Sequence, residues 1–145
     1  MKNGNHYSKL KKLLRKSGCK ATPARLEVLA HLADSRSPMS AQDIIDRLQN
    51  KADQATVYRI IKILKEKGLI RQIDLRLNHA QYELAKKREH HHLVCVACSR
   101  IEDVRNCGVE AMHETILSHS RHFLKINQHA LEFYGVCKNC AATRM

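Results

Sequence analysis

Glu89-His90-His91-His92-Leu93-Val94-Cys95-Val96-Ala97-Cys98 sets three imidazoles just ahead of a Cys-x-x-Cys pair, and a second pair, Cys137 and Cys140, lies further on. Thiolate and neutral imidazole are the donors that borderline metals such as zinc prefer, and four thiolates make a closed tetrahedral site. Cys95, Cys98, Cys137 and Cys140 are therefore the candidate ligands of a structural zinc ion. The histidines beside them point to a second metal site of a different kind. Cys19 and Cys107 have no partner at ligand spacing and read as small buried hydrophobes.

Working outward from the first pair, Leu93–Val96 and Ile101–Val104 flank the Cys95/Cys98 turn as a zinc-knuckle hairpin. Cys107–Ser118 carries a helical stripe of Val109, Met112, Ile116 and Leu117. Phe123–Ile126 and Ala130–Val136 read as strands, the second ending at Cys137. This half is α+β. Upstream, residues 85–89 read as a hinge.

The residues before the hinge have helical periodicity. Leu10, Leu13 and Leu14 form a stripe on an otherwise basic segment that Gly18 ends. Thr22-Pro23 is a helix start, a hydroxyl to cap and a proline in the first turn. Ser40, with Asp43 three residues on, starts a third helix. A fourth, from about Gln54 to Lys67, buries Val57, Ile60, Ile61 and Leu64 and stops at Gly68. Two short strands, Leu69–Leu75 and Ala80–Leu84, then enclose a hairpin tip. Short helices followed by such a hairpin form a winged helix-turn-helix, whose last helix enters the DNA major groove.

Charge supports that reading. The 145 residues carry a net charge of +12, and residues 1–84 hold 17 Lys and Arg against 8 Asp and Glu. A basic half of this kind suits a polyanion, with nucleic acid the first expectation. Lys9, Lys11, Lys12, Arg15, Lys16, Lys20 and Arg25 form one cluster; the fourth helix adds Gln54, Thr56, Tyr58, Arg59 and Lys62 on its polar face. No apolar run has the length of a membrane span, and no apolar leader follows the early lysines. A cytoplasmic protein without a membrane partner is expected, and in a reducing compartment paired Cys-x-x-Cys motifs are metal ligands rather than disulfides.

In order and separation, Thr22-Pro23-Ala24-Arg25, Ala55-Thr56-Val57-Tyr58-Arg59, Tyr82-Glu83-Leu84, the His90–Cys98 stretch, His129 and Tyr134-Gly135-x-Cys137-x-x-Cys140 resemble the ferric uptake regulator (Fur) family of metal-dependent repressors. The resemblance covers nearly the whole chain. It implies a winged-helix DNA-binding domain at 1–84, a hinge at 85–89, and a small α/β dimerisation and metal-binding domain at 90–145. It also implies a homodimer that binds a palindromic operator in double-stranded DNA when a regulatory metal is loaded. Glu83, His90, His92 and Asp103 stand at the family's sensing positions, and Glu89, His91, Glu110 and His129 at those of a third site. Lys20, Arg25, Thr56, Tyr58 and Arg59 are the residues expected on DNA. Asp103 has Glu102 beside it, so either carboxylate fits the pattern, and His31, His113, His119 and His122 read as surface or capping residues.

The ligand set leans towards Fe(II), with Zn(II) or Mn(II) sensing and peroxide sensing as alternatives within the family. Pro38 stands where many members supply a DNA-domain histidine, and proline cannot ligate. Two other classes compete. A zinc-dependent hydrolase would use His90 and His92 with an open water position, yet no deaminase signature, phosphate loop or nucleophile elbow accompanies them. An RNA-binding zinc-knuckle protein would need aromatics for base stacking, and only four Tyr and two Phe are present, with no Trp. A regulator, not an enzyme, is the expectation.

Overall fold

The computed structural model describes residues 4–85, 89–105 and 108–143. Cys107 and most of the expected hinge lie outside the described residues. The chain divides into two compact units, Met1–Lys87 and Arg88–Met145.

The first unit contains α1 (Gly4–Lys16), α2 (Pro23–Asp34), β1 (Met39–Ser40), α3 (Ala41–Leu48), α4 (Gln54–Glu66), β2 (Ile70–Ile73) and β3 (Gln81–Leu84). Local chemistry sets the helix starts. Thr22 accepts from the Arg25 N–H ahead of Pro23. Ser40 and Asp43 form a reciprocal capping box, and Asp53 accepts from the Thr56 N–H at the head of α4. Gly68, at φ +66°, takes the left-handed turn that ends α4. The antiparallel sheet has order β1-β3-β2. Its short first strand, invisible in the sequence pattern, pairs Met39 with Tyr82. One apolar core joins these elements, with Leu14, Val28, Leu29, Ile44, Leu48, Val57 and Leu64 fully buried. This is the winged-helix arrangement that the periodicity implied.

The second unit contains β4 (His91–Cys95), β5 (Ile101–Val104), α5 (Val109–Ser118), β6 (Glu132–Gly135) and α6 (Lys138–Thr143). Its sheet has order β5-β4-β6, with β5 antiparallel and β6 parallel to the central β4. The parallel pairing places the second Cys-x-x-Cys pair beside the first. The strand expected at Phe123–Ile126 does not form; that segment is irregular, with Phe123 75% and Leu124 93% exposed. A strand needs a ladder partner, and this segment pairs with neither outer strand of the sheet, β5 or β6.

Candidate metal centres

Four sulfurs meet where β4 ends and α6 begins. Donor atoms of Cys95, Cys98, Cys137 and Cys140 all lie within 4.8 Å of one another. The Cys98 and Cys137 sulfurs are 3.8 Å apart, and a tetrahedron of zinc–sulfur bonds has an edge of about 3.8 Å. Hydrogen bonds from the Cys137 and Cys98 N–H groups bring the Cys95 thiol down to about 6. Cys137 is lowered too, chiefly by the Cys140 N–H. Cys140, crowded by the Cys98 and Cys137 sulfurs, is pushed up to about 12. Negative charge gathers readily on part of the cluster, but the last thiol needs a cation to ionise. The donor set fits a tetrahedral, thiophilic ion.

A second group forms around Asp103. Strand pairing puts Asp103 opposite His92 and Glu102 opposite Leu93. Side chains alternate along a strand, so the choice between the two carboxylates falls to Asp103. Its Oδ2 is 3.8 Å from His90 Nε2 and its Oδ1 is 3.7 Å from His92 Nε2. The two imidazoles meet edge to face, with centroids 4.9 Å apart. Two imidazoles and a carboxylate this close together suit a divalent ion. Glu132, which the sequence reading missed, contacts the other nitrogen of His92: Nδ1 to Oε2 is 3.0 Å. Only the parallel register of β6 on β4, which pairs His92 with Glu132, brings them together.

Glu83 belongs to the first unit. It is buried on β3, opposite Arg71. The Arg71 Nε donates to Glu83 Oε1 at 2.8 Å, and Nη2 donates to the same oxygen.

The third group faces the other way from β4. Donor atoms of Glu89, His91 and His129 lie within 4.8 Å of one another. His129 Nε2 is 3.0 Å from Glu89 Oε1. His91 Nδ1 donates to the Leu131 carbonyl at 3.1 Å, which leaves Nε2 as the ring's free lone pair. Glu110 is exposed in the first turn of α5 and is not part of the trio. His113 comes close instead, its ring 4.9 Å from that of His129.

On α4, Tyr58 is half exposed and Arg59 exposed, opposite the buried Val57, Ile60 and Ile61. The Thr56 hydroxyl donates to Asp53 at 2.8 Å and accepts from Arg59 at 3.3 Å. It is thus engaged within the helix start, and its methyl is the part left for an outside contact. Lys20 is exposed, and its carbonyl accepts from the Arg25 guanidinium at 3.1 Å.

The profile of the ferric uptake regulator family matches residues 16–134. The chain belongs to the ferric uptake regulator family. It is 34% identical to the ferric uptake regulation protein of Legionella pneumophila, over 88% of this chain and 95% of that one. It is 30% identical to the peroxide operon regulator of Bacillus subtilis, over 88% of each. In structure it resembles the ferric uptake regulator of Francisella tularensis with iron, at a TM-score of 0.71 and 27% identity, covering 86% of this chain and 96% of that one. Members of the Fur family are transcriptional regulators, so this chain is a metal-responsive regulator and not an enzyme. Among the described residues, no helix is long and apolar enough to cross a membrane.

Proposed function

We propose that this protein is a transcriptional repressor of metal uptake and homeostasis genes, binding a palindromic operator as a homodimer when a divalent metal is loaded. The observation that carries the reading is the convergence of His90, His92 and Asp103 in the unit that also gathers the four thiols. Residues 1–84 act as the DNA-binding domain, 85–89 as the hinge and 90–145 as the dimerisation domain. Cys95, Cys98, Cys137 and Cys140 hold a structural zinc ion. The regulatory site draws on Glu83, His90, His92 and Asp103, with Glu83 included on its place in the family motif. Glu89, His91 and His129 form the third site.

A bound divalent ion supplies a fixed link among its donors. His90, His92 and Asp103 present that link from a strand pair already rigid by its ladder. With Glu83 of β3 as a further donor, the ion would also hold the first unit, and the hinge would give up part of its range of angles. The fraction of dimers with both α4 helices set for successive major-groove turns then rises. Tyr58 and Arg59 approach base edges, the Thr56 methyl meets a thymine methyl, Lys20 reaches the minor groove and Arg25 holds phosphate. The mixed imidazole and carboxylate set suits Fe(II) first, with Mn(II) and Zn(II) within its range.

The dimer reading is supported by the distribution of apolar surface. Nine of the ten large hydrophobics exposed among the described residues belong to the second unit, including Leu93, Phe123, Leu124 and Phe133. A monomer rarely leaves such a surface uncovered.

The test is a titration of a palindromic duplex with apo protein and with Fe(II)-, Mn(II)- and Zn(II)-loaded protein. The inducing metal is expected to tighten binding by about a hundredfold or more. Equal affinity in all states would remove the metal switch and leave DNA binding intact.

A further inference from the structure

His113 lies on α5 three residues beyond Glu110, on the same helical face. Its ring stands 4.9 Å from that of His129, which in turn stands 5.1 Å from His91. Three imidazoles thus form a chain ending at Glu89, whose carboxylate reaches His129 at 3.0 Å. The His113 Nε2 atom is buried, with no hydrogen-bond partner among the described residues. A buried polar nitrogen left unsatisfied costs free energy, so its persistence calls for a ligand. A cavity of about 260 Å³ opens beside it, lined by His113 and His129 with apolar Val109, Ile116, Ile126 and Leu131. His113 itself lies outside the 4.8 Å group of Glu89, His91 and His129 donors, so its ring has to shift towards them to join; Glu110 is exposed.

We propose that His113 is the ligand that completes the third site, in the place the family motif gives to Glu110. The inference rests on the reading of Glu89, His91 and His129 as a metal site. The completed centre has three imidazoles and one carboxylate, all from protein. Four protein donors close the coordination sphere. Imidazole richness shifts preference away from Mn(II) and towards zinc-type ions. The site therefore takes a Zn(II)-class ion, whichever metal the regulatory site senses.

The experiment uses the full chain with its structural zinc in place, in a His90→Ala/His92→Ala background that silences the regulatory site. Zn(II) affinity is read by competition with a chromophoric chelator, and Co(II) absorption reports the donor set. His91→Ala and His129→Ala are expected to abolish the added site. His113→Ala is expected to weaken it by about tenfold or more and to alter the Co(II) spectrum, with Glu110→Gln within about twofold of the parent. His113→Gln preserves volume and helix, and gives the same loss if the alanine variant folds poorly. A full-affinity His113→Gln, with His91→Ala and His129→Ala still inactive, would overturn the His113 assignment and keep the third site. Unchanged binding in His91→Ala and His129→Ala would remove the third site itself, and the His113 assignment with it.

Discussion

The two ring nitrogens of His92 face two carboxylates: Nδ1 is 3.0 Å from Glu132 Oε2, within hydrogen-bond reach, and Nε2 is 3.7 Å from Asp103 Oδ1, beyond it. A carboxylate at Nδ1 fixes the ring's tautomer, so that Nδ1 carries the proton and Nε2 keeps the lone pair for a metal. In the proposed regulatory site Glu132 is thus a positioning residue. Glu132→Ala is expected to lower regulatory-metal affinity by about tenfold or more, whereas Glu132→Gln, which keeps an acceptor oxygen, should recover most of it. Calorimetric titration of the two variants separates orientation from charge: equal losses would leave only the lost negative charge as the cause. One step along a strand turns a side chain to the opposite face, so Asp103 and not Glu102 shares a face with His92.

Among the elements, α3 and α4 show how little sequence a helix start needs. The Ser40 hydroxyl accepts from the Asp43 N–H at 3.1 Å, and the Asp43 carboxylate accepts from the Ser40 N–H at 2.8 Å. Ser40→Ala should cost about 1 kcal/mol of stability, read from the urea midpoint, and Ser40→Thr much less. An unchanged midpoint would show that the cap is replaced by water. At α4, the Thr56 N–H and then its hydroxyl hold the Asp53 carboxyl below the usual carboxylate range. A group lowered on folding adds stability above its unfolded pKa, and loses it as pH falls through the folded one. Its contribution is therefore complete at neutral pH and fades below roughly pH 4. Asp53→Asn, which cannot titrate, should show a shallower acid limb in stability against pH. An identical acid limb would mean that other carboxylates govern it.

Over the whole molecule the two units are stabilised differently. The contiguous apolar core lies entirely in the first unit. In the second, the buried hydrophobics among the described residues are Val94, Cys95 and Val109. So small a core needs a metal or a partner chain to hold it. Strong chelation of zinc is expected to abolish amide-exchange protection at Val94 and Cys95 while leaving Val57 and Leu64 protected. Uniform loss across both sets would tie the first unit's fold to the metal. Persistence at Val94 would show that the thiol cluster is dispensable for the sheet.

The sequence by itself determined whatever depends on short spacing. Helical stripes, caps, the Gly68 stop, the two Cys-x-x-Cys pairs and the alternation of His90, His91 and His92 all follow from a period of 3.6 or 2 acting within a few residues. The order of these landmarks was enough to place the chain in its family. Tertiary structure alone decided which distant groups meet. Glu132 contacts His92 across forty residues of sequence because β6 runs parallel to β4 in one register out of several. Met39–Ser40 becomes a strand because it pairs with the edge of β3, while Phe123–Ile126 joins neither outer edge of the β5-β4-β6 sheet and stays irregular. His113 reads as a surface histidine in sequence, yet the packing of α5 turns it towards His129. Local periodicity fixes the face on which a side chain stands, but not what the fold brings to that face.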